Sequence, residues 1–369
     1  MSTALRPPSR WRRGAAPPDL RIGPRITSTL VDLFHLGAAE THAVALLYQS
    51  HGPDAPTYVF KAWPRVWRAG YVTKLAAPIS PGLLGSVADI FLCESGLAQA
   101  VMDAGMPLER VDAATATLLR DRADADRARL AGVLVSAGID AAMVARQLKL
   151  HGEQARRALS RLTHLLGHAT KNASFVAPFL YAARKSGCAV AALRGDRGVT
   201  FAAASERGPL LCVPDTALAL TRDGHTTLYL VETETGTSSA QKLRAKVAAW
   251  ARILADPNRV RADACRALHL PRVDAVRVVV YGPARLLATV HAAIAAHGGA
   301  AAIAFRTVQD DVVHTAYPAA VFRRNGVVPG TTTRCLAFYR QLFHAPIAGV
   351  VHGRSHGGQP EVRWFPLLG

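Results

Sequence analysis

Three carboxylates in the stretch LLCVPDTALALTRDGHTTLYLVETETGTSSAQKLRAKVAAW have a spacing that could do chemistry: Asp215 follows one strand-like run, and Glu232 and Glu234 close the next. Side chains alternate along a strand, so Glu232 and Glu234 fall on one face, where two negative charges repel unless a cation compensates. With Asp215 contributed by a paired neighbouring strand, three hard oxygen donors converge, the environment that Mg²⁺ or Mn²⁺ prefers. A divalent ion held there would polarise a phosphodiester and lower the pKa of a bound water. The helix that follows starts beside the acids and carries Lys242 and Lys246 one turn apart on one face, either of which would neutralise charge developing on a phosphorane. The same spacing is equally consistent with solvated acids at a surface strand end, paired with those lysines.

The elements that must position these residues are legible in the text from Gly187 onward. CAVAALRG, VTFAAAS, LLCVPDTALAL and TTLYLVETE are strand-like runs, followed by the helix SAQKLRAKVAAWARILA, a strand VRVVVYG, a helix ARLLATVHAAIAAHGG and a strand AAIAFRTV. That order is an α/β domain with a mixed sheet, placed at residues 187–311. The extension 312–369 is interrupted by Gly and Pro and carries no assignment.

Ahead of that domain, residues 25–95 read as helix, helix, helix, hairpin, the order of a winged helix-turn-helix. Leu30, Leu33 and Phe34, then Ala43, Leu46 and Leu47, recur at helical spacing on either side of Gly37; Val59, Trp63, Val66 and Trp67 do so in the third segment, with Pro64 inside it. Lys61, Arg65 and Arg68 lie off that apolar face, and YVTKLAAP with VADIFLCESG supplies the hairpin. Residues 1–24 form a basic arm with Arg12 and Arg13. Arg25, Lys61, Arg65, Arg68 and Lys74 complete the expected set of phosphate contacts. Residues 1–75 hold ten Lys and Arg against four Asp and Glu, and such side chains supply most sequence-independent affinity for DNA. A protein-docking module with the same elements is the competing reading.

Residues 96–186 are helical. Within them SAGIDAAMVARQLKLHGEQARRALSRLTHLL resembles a second helix-turn-helix, with Arg156, Arg157 and Arg161 on its second helix, and is as consistent with a plain helical connector. His164 and His168 are one turn apart, a spacing that can chelate a metal, but no third ligand accompanies them.

Composition narrows the partners. Half of the 369 residues are hydrophobic and 19% are charged, which is a folding composition. The formal charge of +18 points to a polyanion, double-stranded DNA first among them, with a coding bias that favours Ala and Arg as the alternative source of that charge. An RNA-associated basic protein has no aromatic RNA-binding motif in its favour. Cys93, Cys188, Cys212, Cys265 and Cys335 form no CxxC pair, as expected for thiols in a reducing, cytoplasmic setting. No apolar run is long enough to span a bilayer, so no membrane partner is expected.

P-D-x-A-L-x-L from Pro214, then L-V-E-T-E-T-G-T, then K-L-R-x-K resembles the signature of the replication-relaxation family of mobile-element proteins. The resemblance extends over the winged-helix text, HATKNASFVAPFLYAARKSG around His168 and Asn172, and VRVVVYGPAR ending at Arg285. It implies a winged helix joined to a PD-(D/E)xK-like nuclease domain, related to the MOBC class of relaxases. It also implies that Asp215, Glu232 and Glu234 are metal ligands, with Gly236 and Thr237 completing the motif. The nuclease pattern has Lys two residues after its Glu; here that position is Glu234, so the positive charge must come from Lys242 or Lys246. A covalent relaxase would also need a nucleophile, and none of Tyr229, Tyr281, Tyr317 and Tyr339 is singled out by its context.

Two functions follow. One is metal-dependent nicking or relaxation of origin DNA in a plasmid or integrative element, alongside other replication or mobilisation proteins. The other is a non-catalytic replication initiator or transcription regulator that acts through its winged helix and keeps an inactive nuclease-like domain.

Overall fold

The computed structural model describes residues 20–53, 56–76, 89–92, 113–149, 164–195, 198–204, 208–298, 304–309, 352–356 and 359–363. The chain divides into two compact units, residues 1–177 and 178–369. The division falls inside a helix, ahead of the point where the sequence turns β-rich. No described helix is long and apolar enough to cross a membrane.

In the first unit the order is α1 (Pro24–Leu36), β1 (Ala38–Glu40), α2 (Thr41–Ser50), α3 (Pro56–Arg68), β2 (Thr73–Ala76) and β3 (Asp89–Leu92). The strands pair antiparallel in the order β1-β3-β2. The three helices and the hairpin match the sequence reading, whereas β1 is too short to show a periodicity of its own and was not anticipated. Gly37 ends α1 at φ 78°, its N–H donating to the Leu33 carbonyl at 2.8 Å, a conformation that glycine adopts without a Cβ penalty. The expected apolar faces close on one another, burying Leu30, Leu33, Phe34, Leu46, Leu47, Trp63, Val66 and Trp67. Pro64 stays within α3 on its exposed side, where the missing N–H costs one bond without breaking the buried stripe.

α4 (Ala113–Ser136), a helical stretch over 141–149 and α5 (His164–Lys185) follow. The second half of the expected helix-turn-helix, with Arg156, Arg157 and Arg161, lies outside the described residues.

The second unit is an α/β structure on a five-stranded mixed sheet, whose strands from one edge to the other are Phe305–Gln309 (β10), Ala275–Gly282 (β9), His225–Thr233 (β8), Thr216–Arg222 (β7) and Ala189–Arg194 (β4). β4, β7 and β8 are antiparallel neighbours, while β9 and β10 run parallel to β8. β5 (Phe201–Ala203) and β6 (Leu210–Cys212) form a separate hairpin. LLCVPDTALAL, which reads as one strand, is thus two, β6 and β7, divided at Pro214, which has no N–H to give a ladder. Parallel pairing needs long crossovers, and they are helical: α6 (Ala240–Leu254) and α7 (Pro257–Leu268) between β8 and β9, and α8 (Ala284–Ala295) between β9 and β10. α7 was not anticipated, although Asp256, which accepts from the Arg259 N–H at 3.1 Å, and Pro257 form a standard helix start. In the tail, β11 (His352–His356) pairs with β12 (Gln359–Arg363).

Alternation along the strands decides which side chains meet α6. Leu228 and Leu230 of β8 and Val278 and Val280 of β9 join Leu243, Val247 and Trp250 of α6 in one core. Tyr229, pointing to the other face, meets Phe179 of α5 edge-on at 5.1 Å. Two residues beyond Leu230 on the α6 side comes Glu232.

Candidate functional site

Asp215 stands at the start of β7 and is spent on its neighbour. Its N–H donates to the Val231 carbonyl at 2.9 Å, and its Oδ2 accepts from the Thr233 N–H at 2.6 Å. The acid continues the β7–β8 ladder past Thr216, the last paired residue, so it arrives on the strand next to the two glutamates, as the sequence requires.

Glu232 and Glu234 point to the same side and are both 3% exposed, so they are not solvated acids at a strand end. α6 reaches them with two residues one turn apart. Lys246 Nζ lies 2.9 Å from Glu232 Oε2 and 2.7 Å from Glu234 Oε1, and Trp250 Nε1 donates to Glu232 Oε1 at 2.7 Å. Ser238 Oγ donates to Glu234 Oε2 at 2.7 Å, and the Glu234 N–H donates to the Tyr281 carbonyl at 2.7 Å. Every carboxylate oxygen of the two glutamates therefore has a donor, which is what burial of charge demands.

Burial is the largest influence on Glu232 and pushes its carboxyl up to about 7; the Lys246 ammonium opposes the rise and the Asp215 charge adds to it. Lys246 is held above its ordinary value, because the two glutamates outweigh the effect of burial. Cys212, at the end of β6, is pushed up to about 12 by burial, with the Glu232 charge adding, and is an inert thiol.

The expected metal cage can be tested on this donor set. Three carboxylates of the right chemistry are present, but the Lys246 ammonium stands between Glu232 and Glu234, the place a divalent ion would take. Among the described residues no three His, Cys, Asp or Glu side chains are grouped to hold a metal ion. Asp215, Glu232 and Glu234 as arranged do not fit Mg²⁺ or Mn²⁺ as a three-ligand cage. His164 and His168 lie one turn apart on α5.

Of the two lysines, Lys246 enters the site and Lys242 does not: Lys242 is exposed, and its backbone N–H is capped by Ser239 Oγ at 3.3 Å. Three contributors escaped the sequence reading. Trp250 reads as one more core aromatic, and Ser238 as one more loop hydroxyl. Gly282 ends β9 against Glu234, where an added Cβ would lie 3.0 Å from both the Cβ and the carbonyl oxygen of Glu234. A glycine closing a buried valine-rich strand was the available signal for that close approach. Of the tyrosines considered as a nucleophile, Tyr229 is on the opposite face with its phenol pushed up to about 12, chiefly by burial, and Tyr281 is fully buried. Tyr317 and Tyr339 lie outside the described residues.

Of the expected DNA contacts, Arg65 and Arg68 are exposed on α3, opposite its buried tryptophans. Arg25 is engaged instead with its own unit. Its Nε donates to the Tyr48 carbonyl at 2.7 Å, its Nη2 to the Pro53 carbonyl at 2.8 Å, and its guanidinium lies 4.1 Å over the Tyr48 ring. Lys61 belongs to α3 and Lys74 to β2, while Arg12 and Arg13 lie outside the described residues.

No family model, curated protein or solved structure matches this chain.

Proposed function

We propose that this protein binds double-stranded DNA as a replication or regulatory factor of a plasmid or integrative element, with a winged helix-turn-helix in its first unit and a nuclease-like second unit kept as a scaffold. The observation that carries the reading is the element order α1-β1-α2-α3-β2-β3 with sheet order β1-β3-β2, in which α3 buries Trp63, Val66 and Trp67 and exposes Arg65 and Arg68. In a winged helix the third helix is the one that enters a groove, and exposed arginines there contact phosphates and base edges. The net charge supports a polyanionic partner. The scaffold role is supported by Lys246, which pairs with both glutamates of the acidic motif. Fluorescence anisotropy with a labelled duplex tests the reading: Arg65→Gln/Arg68→Gln should weaken binding at least tenfold, on the order of 1.4 kcal/mol. Unchanged affinity would remove α3 from the interface.

Metal-dependent nicking is the second reading. The PD-(D/E)xK resemblance implies an Asp, a Glu and a Lys at one site; Lys246 of α6 pairs with Glu232, and metal binding would require the ammonium to leave the space between Glu232 and Glu234. Nicking of a supercoiled plasmid in Mg²⁺ or Mn²⁺ by the wild type, abolished by Glu232→Gln, would favour it. Binding without cleavage favours the scaffold.

A further inference from the structure

α6 carries Lys242, Arg244, Lys246 and Arg252 and not one acid. Lys246 turns inward onto the glutamates, whereas Lys242, Arg244 and Arg252 are exposed. α8 packs against α6, and it too has no acid and exposes Arg285 in its first turn. Other surface arginines of this unit are neutralised locally: Arg222 by Asp223, Arg259 and Arg266 by Asp263, and Arg272 by Asp274. Among the described residues Lys242, Arg244 and Arg252 enter no ion pair, and Arg285 donates only to the Gly236 carbonyl, at 3.3 Å.

This arrangement works against the fold. Like charges on neighbouring helices repel, and cations in the first turn of a helix oppose the helix dipole, which is where Lys242 and Arg285 sit. An anion reverses both effects at once. We infer that the exposed side of α6, with Arg285 of α8, is a second contact surface for the phosphate backbone of duplex DNA, separate from α3. Lys242 and Arg252 are ten residues apart, about 15 Å along a helix, and a duplex presents about nine phosphate charges over that length. Long, exposed cations of this kind hold the backbone and carry no base readout. The inference rests on the DNA-binding reading and adds to it a surface in the second unit.

The test uses the full chain and anisotropy with a labelled duplex of about 30 base pairs across a salt series, since log affinity falls linearly with log salt by roughly 0.9 per phosphate contact. Lys242→Gln/Arg244→Gln/Arg252→Gln/Arg285→Gln should make that slope shallower by up to about 3.6. The charge-keeping variant Lys242→Arg/Arg244→Lys/Arg252→Lys/Arg285→Lys should retain the wild-type slope, which separates lost charge from lost structure. A neutralised variant with the wild-type slope overturns the inference, and if Arg65→Gln/Arg68→Gln still weakens binding, the DNA reading stands without it. A wild type that binds no duplex at low salt overturns the DNA reading itself.

Discussion

Trp250 Nε1 donates to Glu232 Oε1 at 2.7 Å, so the innermost contact of the acidic motif is made by a residue whose ring belongs to the hydrophobic core. Lys246 precedes Trp250 by one helical turn, and the two therefore approach Glu232 from the same face of α6. The register of one amphipathic helix thus supplies both the cation and the indole that allow a carboxylate to be 3% exposed.

Trp250→Phe keeps most of the ring and removes the donor, leaving a buried acceptor one bond short. It should cost about 1–3 kcal/mol, read from urea denaturation followed by circular dichroism. Glu232→Gln, whose amide oxygen still accepts from the indole, should cost less. Equal losses from the two would mean that the indole bond is not what stabilises this position.

Lys246 is the more consequential partner because two carboxylates depend on it. Lys246→Met should destabilise by about 2–3 kcal/mol, below the ~3–5 kcal/mol of a fully buried pair, because the lysine side chain is 38% exposed and partly screened. Combining it with Glu232→Gln and Glu234→Gln removes the stranded charges and should recover most of the loss. If the triple variant is no more stable than Lys246→Met, repulsion between uncompensated carboxylates is not the cause.

The raised pKa of Glu232 gives stability a definite pH dependence. The folded value of about 7 exceeds the ordinary 4.5, so folding favours the protonated form. The contribution is complete below about pH 4.5 and is lost as pH rises through about 7, with a slope of at most about 1.4 kcal/mol per pH unit. The wild type should accordingly lose stability between about pH 5 and pH 8 relative to Glu232→Gln. Lys246, raised from an already high value, titrates above that window and leaves the sign unchanged. Parallel pH profiles for the two proteins would show that Glu232 is already ionised throughout.

The shared sides of this site are legible in the sequence for a simple reason. Strand alternation fixes that Glu232 and Glu234 share a side, and helix periodicity fixes that Lys246 shares a face with Trp250. The helix–helix–helix–hairpin order and the strand–helix alternation were readable on the same grounds, because their apolar stripes are long. What could not be read was rotation about the helix axis relative to the sheet, which sends Lys246 inward and leaves Lys242 outside although both sit on one turn-spaced row. β1 was missed because it is three residues long; α7 was missed although Val260, Ala264 and Leu268 recur every four residues along its buried side, because that stripe is set among arginines and alanines. Counting charge does not show that Arg25, beside a basic arm, also bonds two carbonyls and stacks on a ring.

Arg25 supplies the last prediction, since two roles give opposite signatures. Its bonds to the Tyr48 and Pro53 carbonyls and its position over the Tyr48 ring tie the start of α1 to the end of α2. Arg25→Ala should therefore lower stability by about 1–2 kcal/mol, from two lost bonds and a cation–π contact that are partly exposed. Arg25→Lys should recover less than half of that, because an ammonium has no planar fork to reach both carbonyls while stacking. Below its melting temperature Arg25→Ala should keep the wild-type salt slope for duplex DNA. A variant that melts like the wild type but has a slope shallower by roughly 0.9 would return Arg25 to the phosphate contacts that its place in the sequence suggests.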